Sequence, residues 1–386
     1  MGAQHILILF HDFSFGGTEV IALRLAARWV REGRRVTILC GTPDGPLRAS
    51  VPPGVHVLTL DNEIGRSPLS RLRLRRALRG AIARTRCDIL FLPGNFHLIL
   101  AGAVRGLAKR PTVVAKISNP LAPGRFMPIQ RLLAAVCRWA VRDVDWLVAM
   151  SSGLAVEVQR LTGSDAVSVI FDPNVASGPP MLPRPRSPAS RPIRLLAAGR
   201  LVEQKDFALA IHIVAELAKR REVRLTLLGE GPGRPALERL AARLGVAHLV
   251  DMPGHAASIA PALARTDLLL VTSRYEGGPA VAVEALEQGV PVIATDCSHL
   301  LHDLLSEPDY GTIVETRQPA AFAAQLLIWL DCPDRRPFAP QAAVAPFESG
   351  HAARSYLQLF DRLASGAGHN CDSRPVAICR HVTKGV

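Results

Sequence analysis

Aromatic residues are scarce in this sequence, where Phe, Trp and Tyr together make up only 5% of 386 residues. Proteins that bind single-stranded nucleic acid stack the bases on aromatic side chains, so we expect no nucleic-acid partner. The chain is nevertheless basic, with a formal net charge of +13 at pH 7. A basic surface with few aromatic residues favours phosphorylated small ligands or an anionic membrane as partners.

Patterns for disulfides and metal sites are also missing. The seven cysteines are scattered and odd in number, and no CxxC or Cys/His spacing typical of a zinc site occurs. We therefore expect neither a disulfide framework nor a zinc centre. A reducing compartment such as the cytosol fits this cysteine usage best.

Long hydrophobic runs are absent as well. No uninterrupted apolar stretch reaches the roughly 20 residues that span a bilayer. The first apolar run, Ile6–Phe10, is too short for the core of a signal peptide, and Asp12 follows it closely. We expect a cytoplasmic protein that is either soluble or peripheral on the inner face of the plasma membrane.

What the sequence does contain is an alternation of short apolar runs and helical patterns, which is typical of parallel α/β layers. A dense run of Pro and Ser interrupts the alternation and predicts a linker. The predicted segments are an N-terminal Rossmann-like domain over 1–176, the linker over 177–192, a second Rossmann-like domain over 193–345, a C-terminal helix over 346–365, and a flexible tail over 366–386. For the C-terminal helix, a return to the first domain is one option.

The predicted fold class is thus α/β, with two doubly wound domains facing a central cleft. Ligands of such sheets bind beyond the carboxyl ends of the strands. Four loops that follow predicted strands carry the candidate residues.

The loop after the apolar run 268–272 is the most informative, and residues 273–296 read SRYEGGPAVAVEALEQGVPVIATD. The start of a helix favours bound anions, so two acids there would work against an anion. Glu276 and Glu284 are better suited to binding hydroxyl groups, from which carboxylates accept hydrogen bonds. The combination indicates a ligand that carries both phosphate and polyol, such as a nucleotide sugar.

A second loop follows the first strand of the second domain. Arg200 offers a planar fork for phosphate oxygens, and Lys205 offers a mobile point charge. The two cations could neutralise a leaving diphosphate, whereas the ordinary alternative is a pair of solvated surface charges. Their position at the ligand-binding edge favours binding.

The remaining two loops are rich in glycine. Gly16 and Gly17 could let the backbone approach a phosphate at a helix N-terminus. The turn that begins at Gly229 and Glu230 has the same property. Ordinary strand-to-helix turns explain both motifs nearly as well, because short glycine motifs are common.

Together these motifs resemble the retaining glycosyltransferases of the GT-B fold, specifically family 4, the glycosyl transferases group 1. The resemblance spans residues 5–365 and is most specific in the second domain. There the loop with Arg200 and Lys205, the GEGP turn, the EGGP loop and the PVIATD run occur in the family's order and spacing.

The resemblance implies that Arg200 and Lys205 bind the donor diphosphate, that Glu276 contacts sugar hydroxyls and that Glu284 contacts the ribose. Such enzymes need no divalent metal, so no metal and no other cofactor is expected. The residues expected to line the substrate site are Gly16, Gly17, Gly229, Glu230, Gly277, Gly278, Pro279, Ala280 and Glu284.

Two departures from the family pattern stand out. Members carry a Glu shortly after the PVIATD run, and Asp303 is the candidate replacement here. The histidine that members often have near the acceptor is not obvious after the fifth strand, and His97 after the fourth strand is its candidate replacement. A lone histidine is more often structural. The expected catalytic residues are Glu276, Arg200, Lys205 and His97.

Residues 66–86 form a segment with eight Arg and no acid. Its apolar residues at helical spacing are Leu74, Ala77, Leu78, Ala81 and Ile82. Two interpretations remain open. The segment docks on anionic phospholipid, or it is an outer helix whose apolar stripe faces the sheet.

The sequence therefore predicts a retaining glycosyltransferase that moves a sugar from a nucleotide-diphosphate sugar to a glycan or lipid-linked acceptor in cell-envelope biosynthesis. Two alternatives stay open. One is a nucleotide-sugar epimerase of the same fold, and the other is a non-catalytic scaffold that binds sugar nucleotides in a polysaccharide assembly complex.

Overall fold

The computed structural model describes residues 2–67, 69–121, 135–175, 192–256, 258–332 and 341–366. The predicted linker lies outside the described residues except for Pro192, and the predicted tail lies outside them except for Gly366. Both segments stay predictions.

Two sheets form the framework. The first contains β1 (His5–Phe10), β2 (Arg35–Cys40), β3 (Val55–Thr59), β4 (Ile89–Leu92), β5 (Thr112–Ile117), β6 (Trp146–Ala149) and β7 (Val167–Val169). The second contains β8 (Ile193–Ala198), β9 (Val223–Leu228), β10 (Val250–Gly254), β11 (Leu268–Val271), β12 (Val292–Thr295) and β13 (Gly311–Val314). The strand orders are β3-β2-β1-β4-β5-β6-β7 and β10-β9-β8-β11-β12-β13. All these pairings are parallel.

Helices connect the strands. In chain order they are α1 (Gly17–Arg31), α2 (Ser70–Thr85), α3 (Ser152–Thr162), α4 (Phe207–Leu217), α5 (Arg234–Arg243), α6 (Ala260–Leu263), α7 (Ala280–Glu287), α8 (His299–Leu304), α9 (Pro319–Asp331), α10 (Gln341–Val344) and α11 (Ser349–Ala364). Residues 135–141 are also helical, and Asn95–Val104 forms 3-10 turns. Within the described ranges, none of the helices combines the length and the apolar character that crossing a bilayer requires.

Apolar cores flank both faces of each sheet. Strands covered on both faces read as continuous apolar runs rather than alternating ones. Strands β1 and β11 are accordingly buried along their whole length. The predicted fold class, two doubly wound α/β sheets, is confirmed.

The C-terminal helix α11 packs against the first sheet's side of the molecule, although it follows the second sheet in sequence. The Trp29 ring on α1 meets Tyr356 at 5.8 Å and Phe360 at 5.2 Å, both edge to face. Arg34 also binds Asp361 at 2.7 Å. Aromatic pairs in this geometry add to the free energy of simple burial, so α11 is part of the core around the first sheet.

Each sheet has one point where the strand order reverses, and there ligands of such folds bind. In the first sheet this point lies between β1 and β4, and in the second between β8 and β11. The loops that follow these four strands are therefore the places to look for a site.

The two sheets' loops meet each other. A Cβ atom on Gly277 would collide with the carbonyl oxygen of Ser118, and one on Gly278 would lie 2.8 Å from Met150 Cε. Contact at this distance between backbones requires glycine. The loop after β11 is therefore pressed against the loop after β5 of the first sheet.

The basic segment forms helix α2, and its apolar stripe faces the sheet. Leu74, Leu78, Ala81 and Ile82 are buried in the core beneath it, whereas Ala77 is exposed. The stripe therefore supports the interpretation as an outer helix of the sheet. The large apolar side chains that α2 and the residue before it expose are Leu72 and Leu69.

Candidate active site

The centre of the site is an ion pair between two residues that the sequence singled out. Lys205 Nζ lies 2.5 Å from Glu276 Oε1, and the hydroxyl of Ser273 donates to the same oxygen at 2.7 Å. Glu276 is buried and Lys205 is half-buried. The pair joins the loops after β8 and β11, where the strand order reverses.

The end of β12 fixes the loop that carries Glu276. The backbone N–H of Glu276 donates to Cys297 O at 2.7 Å. Thr295 Oγ1 donates to Ser273 O at 2.7 Å, and Ser298 Oγ donates to Gly277 O at 3.0 Å. The PVIATD run and the residues after it thus hold the glutamate in place.

Arg317, which sequence reasoning missed, ties both loops together. Its guanidinium donates to the carbonyl oxygens of Thr272 at 2.8 Å and Ser273 at 3.0 Å. It also donates to the carboxylate of Asp206 at 2.6 Å. Asp206 follows Lys205 and has a left-handed backbone, with φ at 45°, which is unusual for a residue other than glycine. No motif marks Arg317 in the sequence, because it follows the last strand of the sheet.

The second predicted cation, Arg200, is exposed. Its neighbour Gly199 has φ at 146°, and a Cβ there would lie 3.1 Å from Lys205 Cε. The glycine therefore leaves room for the Lys205 side chain to pass. The structure brings Lys205 to Glu276, whereas the Arg200 side chain is exposed.

The glycine turn after β9 packs against the Arg200 loop. A Cβ on Gly229 would collide with the carbonyl oxygen of Gly199, and the backbone of Gly229 has φ at 147°. Leu201 donates its backbone N–H to the carbonyl oxygen of Glu230 at 2.9 Å, while the Glu230 carboxylate pairs with Arg234 at 2.6 Å. These contacts favour the interpretation of this segment as an ordinary strand-to-helix turn. The turn packs against the Arg200 loop and supports it.

Gly277, Gly278, Pro279 and Ala280 lead into α7. Pro279 is the N-cap residue and Ala280 begins the helix. The first N–H groups of a helix have no intrahelical acceptor and attract anions. This segment directly follows Glu276 in the chain, so the start of α7 is close in sequence to the Lys205–Glu276 pair.

Glu284 lies one to two turns into α7 and faces the first sheet's side of the molecule. Burial raises the pKa of its carboxyl above the usual value, and the charge of Arg24 on α1 opposes that rise. Among the residues that the structure describes, the Glu276 carboxylate contacts Lys205 and Ser273, and these contacts do not include Glu284.

His97, the predicted acceptor histidine, is buried. Burial, together with the nearby His11 and Arg66, lowers the pKa of His97 to about 3. The imidazole is therefore uncharged at neutral pH. Both of its ring nitrogens lack a hydrogen-bond partner among the described residues.

The loop after β1 places two more polar groups beside His97, and sequence reasoning quoted that loop only for its glycines. His11 Nδ1 lies 3.2 Å from Asp12 Oδ2, and Arg66 binds Asp12 through both oxygens at 2.5 and 2.8 Å. Burial alone would raise the pKa of Asp12, but hydrogen bonds from Arg66, Ser14 and His11 outweigh it and hold that pKa well below its usual range.

The predicted glycines of this loop differ in their surroundings. A Cβ on Gly16 would collide with the Glu19 carboxylate, whereas Gly17 has open space around it. Burial raises the pKa of Glu19. Gly17 therefore offers the accessible backbone that the sequence predicted at the start of α1.

Asp303 on α8 is engaged at the contact with the first domain. Burial raises the pKa of its carboxyl, and the backbone of Ser152 at the start of α3 opposes that rise. The neighbouring His299 ring fills the space beside Gly153. This position joins α8 to the start of α3.

Two family descriptions match the chain. Glycosyltransferase Family 4 matches residues 15–172, and Glycosyl transferases group 1 matches residues 192–331. The matches cover nearly all of both sheets, and the site just described spans them. The chain belongs to the group 1 glycosyltransferases with the GT-B fold.

Curated relatives and solved structures agree with this assignment. The lipopolysaccharide core biosynthesis glycosyltransferase LpsE of Rhizobium meliloti is 33% identical over 156 residues, which cover 40% of this chain and 45% of LpsE. The alpha-D-kanosaminyltransferase of Streptomyces kanamyceticus is 27% identical over 72% of this chain and 75% of its own length. The structure of Anabaena HepE in complex with UDP and glucose superposes with a TM-score of 0.71 and 19% identity, covering 95% of this chain and all of that one.

Proposed function

We propose that this protein transfers a sugar from a nucleotide-diphosphate sugar, with retention of anomeric configuration, to an acceptor in lipopolysaccharide or polysaccharide biosynthesis. The observation that carries the proposal is the Lys205–Glu276 pair at the strand-order reversal of the second sheet. The relation to LpsE supports the biosynthetic class, and the UDP and glucose bound by HepE support a nucleotide-sugar donor.

The donor diphosphate binds beside the start of α7. Lys205 and the exposed Arg200 lie in the loop after β8, and α7 begins at Ala280, shortly after Glu276. Fixed positive groups placed where negative charge develops on the leaving diphosphate lower the barrier to transfer. The same charges supply what a divalent metal would otherwise provide, so we propose turnover without a metal.

Glu276 orients the transferred sugar. One of its oxygens accepts from Lys205 and Ser273, which leaves the other oxygen for a sugar hydroxyl. The lysine thus links the diphosphate to the acid that holds the carbohydrate. Glu284, further along α7, holds the ribose.

The acceptor attacks from the side of the first sheet. Gly17 and the loop after β4 lie there, and the contact of Gly277 with Ser118 brings that side against the donor loop. Attack on the same face that the diphosphate leaves retains the configuration, with the departing phosphate as the base. Exclusion of water between the domains favours transfer over hydrolysis.

Helix α2 docks the protein on an anionic membrane at the inner face of the plasma membrane. Its outer surface exposes Leu72, Arg73 and Arg76, with Leu69 before the first turn. Arginines around exposed leucines suit a phospholipid headgroup region. The stripe buried beneath the helix takes no part in this contact.

The test is a panel of nucleotide sugars, assayed first by thermal shift and then for transfer. A bound donor raises the apparent stability in proportion to ln(1 + [L]/Kd). Proton NMR of the product gives the anomeric configuration, and EDTA tests the metal. Product of inverted configuration, or loss of turnover in EDTA, would refute those parts of the proposal.

The same panel separates the alternatives. Acceptor-independent isomerisation of the sugar would indicate an epimerase. Binding without any turnover, in the presence of lipid-linked glycan acceptors, would indicate a scaffold. Either result would overturn the proposed transfer.

A further inference from the structure

A cluster of charged, aromatic and imidazole side chains lines the strand-order reversal of the first sheet. Its members come from the loops after β1 and β4 and from the basic segment, and we name it the Phe96 cluster. It consists of His11, Asp12, Arg66, Arg71, Phe96 and His97.

Two arginines approach the half-buried Phe96 ring. The guanidinium carbon of Arg71 lies 4.0 Å from the ring centroid, and that of Arg66 lies 5.5 Å from it. Stacking on an aromatic face holds a guanidinium in one orientation while its N–H groups stay available. The ring thus fixes Arg71 before any ligand arrives.

Arg66 pairs with acidic side chains, whereas Arg71 pairs with none among the described residues. Asp12 accepts two hydrogen bonds from Arg66, and Glu19 lies 4.0 Å from the same guanidinium. Arg71 is exposed and makes no hydrogen bond or ion pair with the residues that the structure describes. A positioned cation at the binding edge of the sheet is thus left without an anion.

Buried imidazole nitrogens border the same ring. His97 and His11 are each 1% exposed, and their rings lie 5.4 and 5.7 Å from Phe96. Both nitrogens of His97 and Nε2 of His11 have no hydrogen-bond partner among the described side chains and backbone. Buried polar atoms of this kind usually have a partner, so the cluster has unused capacity for a polar ligand.

The cluster adjoins the donor loop. Asn95, next to Phe96, accepts a hydrogen bond from the backbone N–H of Ser118 at 2.7 Å through its side-chain oxygen. The carbonyl oxygen of Ser118 is the atom that touches Gly277, the residue after Glu276. A group bound at Phe96 therefore belongs to the acceptor side of the reaction.

We propose that the acceptor carries an anionic group, a phosphate or a carboxylate, which Arg71 binds while stacked on Phe96. The inference rests on the proposed transfer reaction and adds the chemical class of the acceptor to it. It also assigns different roles to different arginines of the basic segment. Arg66 and Arg71 approach Phe96, whereas the exposed Arg73 and Arg76 belong to the surface proposed for the membrane.

The test uses three hexoses that differ at C6: glucose, glucuronate and glucose 6-phosphate. Binding to the full-length protein is measured by ligand-observed NMR in the Lys205→Ala background, which removes a cation from the donor site. We expect at least one charged hexose to bind about tenfold more tightly than glucose, since a charge-assisted hydrogen bond is worth roughly that much. Arg71→Gln should abolish the difference.

Arg84→Gln is the matched control, because Arg84 lies on the same helix, is exposed and pairs only weakly with Asp61 at 3.8 Å. It should leave the preference intact, and both variants should melt at the wild-type temperature. The stronger of the two charged hexoses identifies phosphate or carboxylate as the acceptor group, and either supports the proposal.

Equal binding of all three hexoses would overturn the proposal, as would a preference for a charged hexose that survives Arg71→Gln. If Arg71→Gln changes only the binding of the protein to anionic vesicles, Arg71 belongs to the membrane surface and the proposal is also wrong. The proposed transfer fails separately: Arg71-dependent binding without sugar transfer would refute the transfer and leave the anion site standing.

Discussion

Lys205 and Glu276 lie 71 positions apart in the chain, and their side chains meet at 2.5 Å. The pair joins the loops of two neighbouring strands, β8 and β11. In the proposed reaction, the cation assigned to the donor diphosphate is held by the acid assigned to the donor sugar. The proposed function thus places both roles on one ion pair.

The first prediction concerns this pair. Glu276→Gln and Lys205→Met should each lower kcat by about 100-fold or more, the range found when one stabilising group is removed from a transition state. Lys219→Met is the control, because Lys219 pairs with Glu216 on the exposed surface of the same domain. Steady-state kinetics with a melting curve for each variant checks this, and wild-type rates in either site variant would refute the assignment.

The second prediction concerns Arg317, which acts as a positioning residue through Asp206 and the carbonyls before Glu276. Arg317→Ala should reduce kcat by about tenfold and leave the donor KM within about twofold, because it loosens groups that act in the transition state. Arg317→Lys should recover little, since one ammonium cannot replace the planar fork.

Arg221→Ala provides the comparison for Arg317, because Arg221 pairs with Asp331 on the surface of the same domain. It should leave both constants unchanged. If Arg317→Ala changes only the melting temperature and not kcat, Arg317 has a structural role alone.

The third prediction concerns pH and Glu284. In the proposed role, the ionised carboxylate accepts a hydrogen bond from a ribose hydroxyl at each oxygen, whereas the protonated acid carries a donor on one of them. Burial raises the pKa of Glu284 above 4.5. The donor KM should therefore rise as the pH falls through that raised pKa. Glu284→Gln should remove this pH dependence of KM, and an unchanged profile in that variant would exclude Glu284 as its source.

The stability of the fold should change with pH in the opposite direction to donor binding. A carboxyl with a raised pKa in the folded state favours folding when protonated, fully so below about pH 4.5, and loses that contribution as the pH rises through the folded-state pKa. Glu284→Gln should therefore raise the melting temperature at pH 7.5 and have a smaller effect at pH 4. Melting curves at the two pH values measure this, and equal shifts would contradict it.

The fourth prediction concerns membrane docking. Arg73→Glu combined with Arg76→Glu should weaken binding to anionic phospholipid vesicles by at least about tenfold, since each arginine near the surface contributes about 1 kcal/mol. The same charge changes at Arg239 and Arg243 on α5 should leave vesicle binding unchanged. Co-sedimentation measures both. If the wild-type protein does not bind anionic vesicles, the membrane proposal is refuted.

Lys205 and Glu276 could be predicted from the sequence, because each lies in the loop that directly follows a strand of the parallel sheet. Strand β11 and the loop with Glu276 are consecutive, so a buried apolar run followed by EGGP predicts an acid at the edge of the sheet. Lys205 follows β8 in the same way. Such positions require only that the strands be recognised, and their apolar runs make them visible.

The Phe96 cluster and Arg317 were not accessible in this way. Arg317 reaches Asp206 and Ser273 only because β13 ends beside the same edge of the sheet, and Arg71 finds Phe96 only because α2 packs across the loop after β4. No spacing in the sequence encodes which of the eight arginines in the basic segment stacks on Phe96. The sequence also could not tell whether the apolar stripe of α2 contacts the core or a membrane, since both require apolar residues at helical spacing.

The sequence by itself determined the two sheets, the parallel arrangement and the loops that carry Lys205 and Glu276, because burial on both faces of a strand demands a continuous apolar run. The tertiary structure alone decided which charges meet. Ion pairs and stacked arginines depend on distances between loops far apart in the chain, and those distances exist only once the helices have packed and the two domains have come together.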